Sequence, residues 1–153
     1  MSLYDELTGL AISDSERLFE IKAATERFLS VLRRSVVAHL SAPDDCVTFV
    51  AVDREGALGD DTGAVPTIAK GHDGVWVFAL RFTFRRPASN AFGIATFRMS
   101  IRMEGEHVNV TFEQEFPFDR TTPDFGPFNE FVVSTLRDDY ARTPSKHRIG
   151  FTR

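Results

Sequence analysis

The first pattern along the chain is a helical one. Apolar residues recur at helical spacing, while charged residues fill the remaining positions. The segment SDSE has the form of a capping box that starts at Ser13, and Pro43 is a residue that stops helices. We therefore expect a long helix between these two points, and a short helix before it, capped by Ser2 and ended by Gly9. The apolar set of the long helix is Leu18, Ile21, Phe28, Leu32 and Val36.

From Cys46 onward the period changes to two and the residues become β-branched and aromatic, which is typical of strands. The sequence GHDG before Val75 predicts a tight hairpin turn. The glycine- and aspartate-rich stretch REGALGDDTG reads as a loop between the first two strands. The candidate strands are CVTFVAV (46–52), VPTIAK (65–70), VWVFALRFTF (75–84), FGIATFRMSIRM (92–103) and HVNVTFEQEF (107–116).

Helical spacing returns after the strands, and Pro127 suits the first turn of a helix. The apolar positions of this second helix are Phe128, Phe131, Val132, Leu136 and Tyr140. Residues 149–151 are compatible with either a terminal strand or a docking tail. The expected fold class is α+β: a curved antiparallel sheet of four or five strands, a meander, packed against the long N-terminal helix and a C-terminal helix.

One hairpin permits a register test. If Gly105 and Glu106 form a two-residue loop, with glycine first as a type II′ turn prefers, paired residue numbers sum to 211. One face is then apolar, and a slip by one residue would mix the faces. The apolar pairs are Met103 with Val108, Ile101 with Val110 and Met99 with Phe112. The polar pairs are Arg102 with Asn109, Ser100 with Thr111 and Arg98 with Glu113.

The polar side of this hairpin supplies the candidate binding site. The residues expected to bind a ligand or partner are Arg81, Arg98, Arg102, Asn109 and Glu113, with Thr111 and Glu115 beside them. Such a mixed-sign array on rigid strands suits an anionic ligand or a charged partner. The plainer alternative is an ordinary solvated sheet face. Because Val75, Val77 and Ala79 share that face, we expect part of it to be covered by a helix, by the N-terminal segment or by another subunit.

Composition sets the broad class. A chain of 153 residues has the usual size of one domain, so we expect a single α+β domain over residues 1–153. The single cysteine and the lack of a secretory signal favour a cytoplasmic protein. No apolar run is long enough for a membrane span, and a net charge of −4 argues against nucleic acid as a partner. The fifteen phenylalanines indicate a Phe-rich core.

No motif in the sequence carries chemistry. Cys46 would need a histidine within hydrogen-bond reach to act as a nucleophile, and nothing in the sequence places one beside it. The acidic pairs lack the spacing of metal sites, and no phosphate-binding glycine motif occurs. We therefore predict no catalytic residue, no metal and no cofactor, and we leave enzymatic activity open.

Two main functional readings follow, and a third, nucleic-acid binding through Arg85, Arg86 and the basic C-terminal tail, ranks last. The first is a non-catalytic interaction protein, a homodimer that acts through a sheet face or edge, by analogy with immunity proteins, chaperones and adaptors. The second is a small-ligand binding protein or enzyme with a Phe-lined pocket between helix and sheet, where Arg81 or Arg98 reaches an anionic group. A cavity of roughly 300 Å³ or more with convergent polar groups would favour the second reading, and a filled Phe core the first.

Overall fold

The computed structural model describes residues 2–53, 55–86, 88, 91–142 and 148–151. Two helices flank a run of strands, as expected for an α+β chain. In order, the elements are α1 (Leu3–Leu40), a 3₁₀ turn (Asp44–Cys46), β1 (Val47–Val52), β2 (Leu58–Gly63), β3 (Ala69–Lys70), β4 (Val75–Arg85), β5 (Ala91–Glu104), β6 (His107–Phe112), β7 (Gln114–Asp119), α2 (Gly126–Arg142) and β8 (Arg148–Phe151).

The described strands form one antiparallel sheet in the order β2-β1-β4-β5-β6-β7, with β3 beside β4 and β8 beside β5. The α+β class and the antiparallel sheet are confirmed. The sheet has more strands than the four or five expected, for three reasons. β2 lies in the stretch read as a loop, the segment read as one strand over 107–116 is two strands, and the terminal segment pairs with β5.

Helix α1 starts much earlier than the sequence indicated. Ser2 is its N-cap: the Ser2 hydroxyl accepts from the Asp5 N–H at 3.1 Å, and the Asp5 carboxylate accepts from the Ser2 N–H at 3.4 Å. The expected start at Ser13 and the expected break at Gly9 are therefore wrong. One interior glycine costs a helix only about 1 kcal/mol relative to alanine, which neighbouring turns can offset. The expected stop is confirmed, since α1 ends at Leu40, three residues before Pro43.

The hairpin of β5 and β6 has the register that the sequence predicted. Pairing runs from Ser100 with Thr111 to Glu104 with His107, around Gly105, whose φ is 59°. Two expected pairs, Met99 with Phe112 and Arg98 with Glu113, do not belong to this ladder. Glu113 has a φ of 61° and turns the chain from β6 into β7. The inward positions are even-numbered on both sides of the bend, so the alternation in the sequence continues without a phase shift.

The helices and the sheet enclose a core of aromatic rings. Residues of α1, α2 and the inward face of β4 to β7 belong to one buried cluster. The ring centroids of its phenylalanines lie 5.0–6.3 Å apart in tilted or edge-on pairs. A polar contact joins the two helices, because the Asn129 amide donates to the Ser35 hydroxyl at 2.9 Å. This Phe-rich core fixes both helices on one face of the sheet, which is called the helix face here.

Candidate interaction surfaces

The opposite face of the sheet, called the open face here, is not a simple solvated surface. Val50, Val52 and Ala79 are buried on it, and Val77 packs against them. Both described helices pack on the helix face, so neither covers this group. Part of the open face is therefore buried, as the sequence predicted. The buried part is a small apolar cluster on the neighbouring strands β1 and β4.

Arg81 is tied into the open face by its neighbours. Its guanidinium lies 3.6 Å from the Asp61 carboxylate, and its Nε donates to the Thr96 hydroxyl at 3.3 Å. Asp61 also accepts from the Thr48 hydroxyl at 2.7 Å. These contacts link β2, β1, β4 and β5 across the sheet. The side chain is therefore engaged in holding strands together.

Arg98 differs from Arg81 in being exposed. It lies opposite Ala79 in the ladder of β4 and β5, and its side chain makes no hydrogen bond or ion pair within the described residues. Its position is four residues from Arg102 on the same strand, which corresponds to about 13 Å. The two arginines are thus on one face but too far apart to hold the same small group.

Arg102 and Asn109 do come together, directly opposite each other in β5 and β6. They line a depression of about 420 Å³ on the open face. The Arg102 guanidinium donates to the Asp73 carbonyl at 2.8 Å and lies 3.4 Å from the Glu104 carboxylate. Because carboxylates line the depression beside the arginine, it has no strong preference for anions. The lining residues are Val75, Ser100, Arg102, Glu104, Asn109, Thr111 and Glu115.

The fifth candidate residue, Glu113, lies at the bend between β6 and β7, where it is exposed. The predicted array therefore separates into parts. Arg102 and Asn109 share a depression, Arg81 belongs to a strand-linking network, Arg98 is exposed on its own, and Glu113 stands at a turn. Only the first pair forms a concave site.

A second depression of about 420 Å³ has Cys46 in its wall. Cys46 is buried, and this desolvation raises the pKa of its thiol above the ordinary value. The thiol is therefore protonated near neutral pH. None of the described residues that line this depression is a histidine. The arrangement lacks both the base and the lowered pKa that a cysteine nucleophile needs.

The described residues offer neither a metal site nor a membrane-spanning helix. No group of three or more His, Cys, Asp or Glu side chains there could hold a metal ion. Two depressions lie where a helix meets the sheet. One of about 230 Å³ is lined in part by Phe28 and Val31 of α1 and Met103 of β5, and one of about 430 Å³ is lined by Phe84 and Gly93 of the sheet and Leu136, Arg137 and Tyr140 of α2. No described helix combines the length and the apolar character needed to cross a membrane.

The sheet edges are poor templates for pairing. The outer strand β7 contains Pro117, which has no N–H to donate, with Glu115 two residues before it and Asp119 two residues after it. The other outer strand, β2, has the sequence LGDDTG, with two adjacent aspartates and two glycines. Charges, proline and short length are the features by which edge strands avoid joining another sheet. The edges therefore do not favour a partner contact through a sheet edge, one of the two surfaces that the sequence suggested.

Most of the exposed large hydrophobic side chains among the described residues lie elsewhere, on the first half of α1. Residues 2–20, called the arm here, are all exposed, and they extend over about 27 Å at 1.5 Å per residue. Within the described part of the chain, α1 contacts the rest of the protein only through its second half. Leu3 is 70% exposed, Leu7 55% and Leu10 62%. The sequence analysis missed this surface because it placed the start of the helix at Ser13.

The exposed leucines continue the buried face of the same helix. At 100° per residue, the leucines of the arm fall within an arc of about 80° that also contains the core positions of the second half. The arm residues on this arc are Leu3, Leu7, Leu10 and Leu18, and the core residues are Phe28, Leu32 and Val36. These four leucines are called the arm stripe here. The signal was present in the sequence as one apolar periodicity that runs past Gly9 and Ser13.

The polar part of the arm is acidic. Five acidic residues and one basic residue give it a net charge of −4. The basic residue, Arg17, forms an ion pair with Asp14 at 3.0 Å, one turn away on the helix. The acidic residues are Asp5, Glu6, Asp14, Glu16 and Glu20.

Comparisons with known proteins return nothing for this chain: no family model, no curated protein and no solved structure matches it. Its function therefore has to be inferred from its own residues.

Proposed function

We propose that this chain is a non-catalytic, cytoplasmic protein-interaction domain that binds its partner through the arm. The observation that supports the proposal is the exposure of the arm stripe, four leucines aligned on one helical face with no described element packed on them. Contiguous exposed apolar surface on a folded protein marks a site of interaction. An isolated helix of this length is also marginal in water, so a partner that covers the stripe would stabilise it.

The chemistry of the arm favours protein over lipid. Helices that lie on membrane surfaces carry lysine and arginine on their polar face, where they meet anionic headgroups. The arm carries five acids and a single arginine, so an anionic lipid surface would repel it. An amphipathic helix that pairs with another helix or enters a protein groove needs only the apolar stripe. A protein partner is therefore compatible with both the apolar stripe and the acidic polar face of the arm.

Site-specific photo-crosslinking in the source cells tests this proposal. A photoreactive amino acid at Leu10 should label a protein efficiently, because Leu10 lies on the arm stripe. The matched control is Ile12, which is 54% exposed and lies about 160° around the helix from Leu10. Equal labelling from both positions, or none from either, would contradict a protein-binding role for the stripe.

A second candidate function is supported by the depression that holds Arg102 and Asn109. Its volume of about 420 Å³ falls within the range of small-ligand sites, and hydroxyl, amide, guanidinium and carboxylate groups converge on it. Because both signs of charge are present, the ligand class would be a small polar molecule that carries both donors and acceptors. This site differs from the Phe-lined pocket of the second sequence-based reading, which expected the ligand between helix and sheet.

Thermal-shift screening against polar metabolites tests this second candidate. A ligand of the native state raises the melting temperature in a concentration-dependent manner. Asn109→Ala should abolish the shift while leaving the fold intact, since Asn109 is partly exposed on the open face. A shift that survives in Asn109→Ala would place the ligand elsewhere.

A further inference from the structure

We infer that the partner of the arm is a second copy of this chain, and that the two arms pair in antiparallel orientation. This inference rests on the proposed role of the arm in protein binding. It specifies which protein covers the arm stripe and in which direction the two helices run. The interface is isologous, so that each arm contributes the same residues around a twofold axis near the middle of the arm.

The charge distribution along α1 sets the orientation. Residues 2–16 contain four acidic and no basic residues, whereas residues 17–34 contain five basic and two acidic residues. Two parallel arms would bring the acidic segments of both copies together. Asp14 and Arg17 lie on or beside the arc of the arm stripe, so parallel arms in register would place each of them beside its own counterpart in the seam. Antiparallel arms centred near Ala11 separate the two Asp14 residues by about 9 Å and the two Arg17 residues by about 18 Å along the seam. Like charges brought together in a helix–helix seam disfavour that pairing direction.

The self-complementary pattern of the stripe supports the same choice of partner. Leucines lie at both ends of the arm, at Leu3 and Leu18, with Leu7 and Leu10 between them. Reversing the direction of the arm about Ala11 therefore places leucine near leucine at each end. The Asp14–Arg17 ion pair lies on the same arc, at 3.0 Å. Polar groups in an apolar seam reduce its stability and restrict its register.

The available area is sufficient for a modest dimer. Covering a large aliphatic side chain removes roughly 100 Å² of apolar surface from water. Four leucines in each of two arms thus supply roughly 800 Å², and the flanking Tyr4 and Ala11 bring the total near roughly 1,000 Å², the lower bound for a biological interface. The dimer should therefore dissociate measurably on dilution, and its mass should depend on protein concentration.

Sedimentation equilibrium over a wide concentration range measures this association. Wild-type protein should move from monomer to dimer, and Leu10→Glu should weaken the association by roughly 100-fold, because two leucines are lost from each dimer. Ile12→Glu introduces the same charge at a similarly exposed site on the opposite face and should leave the association within about threefold of wild type. A wild-type protein that is monomeric throughout overturns the inference, as does equal weakening by both substitutions.

Disulfide trapping measures the direction of pairing. In an antiparallel pair centred near Ala11, Ala11→Cys lies close to its counterpart and should form a covalent dimer under mild oxidation. Leu3→Cys should not, because its counterpart would be about 24 Å away along the seam and a disulfide needs Cα atoms within about 7 Å. The wild type, whose Cys46 is buried, controls for other thiols. Efficient trapping of Leu3→Cys would overturn the antiparallel arrangement.

The photo-crosslinking experiment separates this inference from the proposed function. A probe at Leu10 that labels this same chain supports both. A probe that labels a different protein, with a monomeric wild-type chain in sedimentation, overturns self-pairing and leaves protein binding by the arm in place. A probe that labels lipid overturns both.

Discussion

Arg33 offers the sharpest test of how α1 is held on the sheet, and therefore of why the arm projects from it. This side chain is 4% exposed. Its Nε donates to the Val47 carbonyl at 2.7 Å, and its Nη2 donates to the Asp44 carbonyl. One guanidinium thus joins the C-terminal part of the helix to the 3₁₀ turn and to the first residue of β1. The proposed perturbation is Arg33→Met, which keeps the long aliphatic stem and removes the donors.

The expected loss in the free energy of unfolding depends on which contacts of Arg33 are buried. Hydrogen bonds from a charged donor contribute about 1.5–3 kcal/mol each, and Arg33 makes two of them to backbone carbonyls. The ion pair with Asp44, at 3.3 Å, contributes less than about 1 kcal/mol because the Asp44 side chain is 77% exposed. Burial of the methionine side chain offsets roughly 1 kcal/mol of the loss. We expect Arg33→Met to reduce the free energy of unfolding by about 3 kcal/mol, and Asp44→Asn to reduce it by less than about 1 kcal/mol.

Equilibrium urea unfolding at one fixed protein concentration provides the measurement, since the apparent stability of a dimer depends on concentration. The Leu10→Glu background removes that dependence. Arg34→Met is the matched control, because Arg34 is the exposed neighbour of Arg33 and its replacement should change stability by no more than about 0.5 kcal/mol. If Arg33→Met and Arg34→Met have equal effects, the two carbonyl contacts do not anchor α1.

Three other predictions address the core, a loop and the thiol. Phe128 is fully buried, and its ring centroid lies 5.4 Å from that of Phe116. Phe128→Ala should lower the free energy of unfolding by about 3–5 kcal/mol in the same urea assay, and a loss below about 1 kcal/mol would contradict tight packing. The backbone N–H groups of Thr122 and Thr121 donate to the Asp119 carboxylate and lower its pKa below the ordinary 3.8. The ionised carboxylate therefore contributes fully to stability above pH 3.8, and this contribution is lost as the pH falls through the lowered pKa of the native state. An NMR titration of the Asp119 carboxyl should show this lowered pKa, and Asp119→Asn should reduce the loss of stability below about pH 4. Cys46 should react with an alkylating reagent at neutral pH at least about tenfold more slowly in the native state than in urea, because burial raises its pKa; equal rates would show an accessible thiol.

The parts of the fold that the sequence predicted are those governed by local patterning. The register around Gly105 follows from alternation and from the preference of a tight turn for glycine, and all of the pairs from Ser100–Thr111 to Glu104–His107 obey it. The end of α1 before Pro43 likewise follows from local backbone chemistry. In each case a single physical rule acts over a few residues.

The failures occurred where two local signals competed. Both Ser2 and Ser13 begin capping-box sequences, and the choice between them depends on whether the turns around Gly9 can remain helical. The bend at Glu113 left no trace in the alternation, because a reversal at that position keeps even-numbered residues facing inward on both strands. Neither outcome can be read from a window of a few residues.

The contacts of the candidate site depend on residues that are distant in sequence. Arg102 bonds to Asp73, 29 positions earlier, and Arg81 pairs with Asp61 from a strand that the sequence did not indicate. The sequence could place Arg102 and Asn109 side by side, because both lie in one hairpin. It could not show that a depression forms there, or that Arg81 has its partner in β2.

Amide hydrogen exchange followed as a function of protein concentration tests the pairing of the arms most directly. If the arms of two copies cover each other, exchange at residues 3–20 should slow as the concentration rises, while amides of β4 and β5 keep the same rates. If the arm exchanges at one rate at every concentration, the arms do not pair and the exposed leucines have another role.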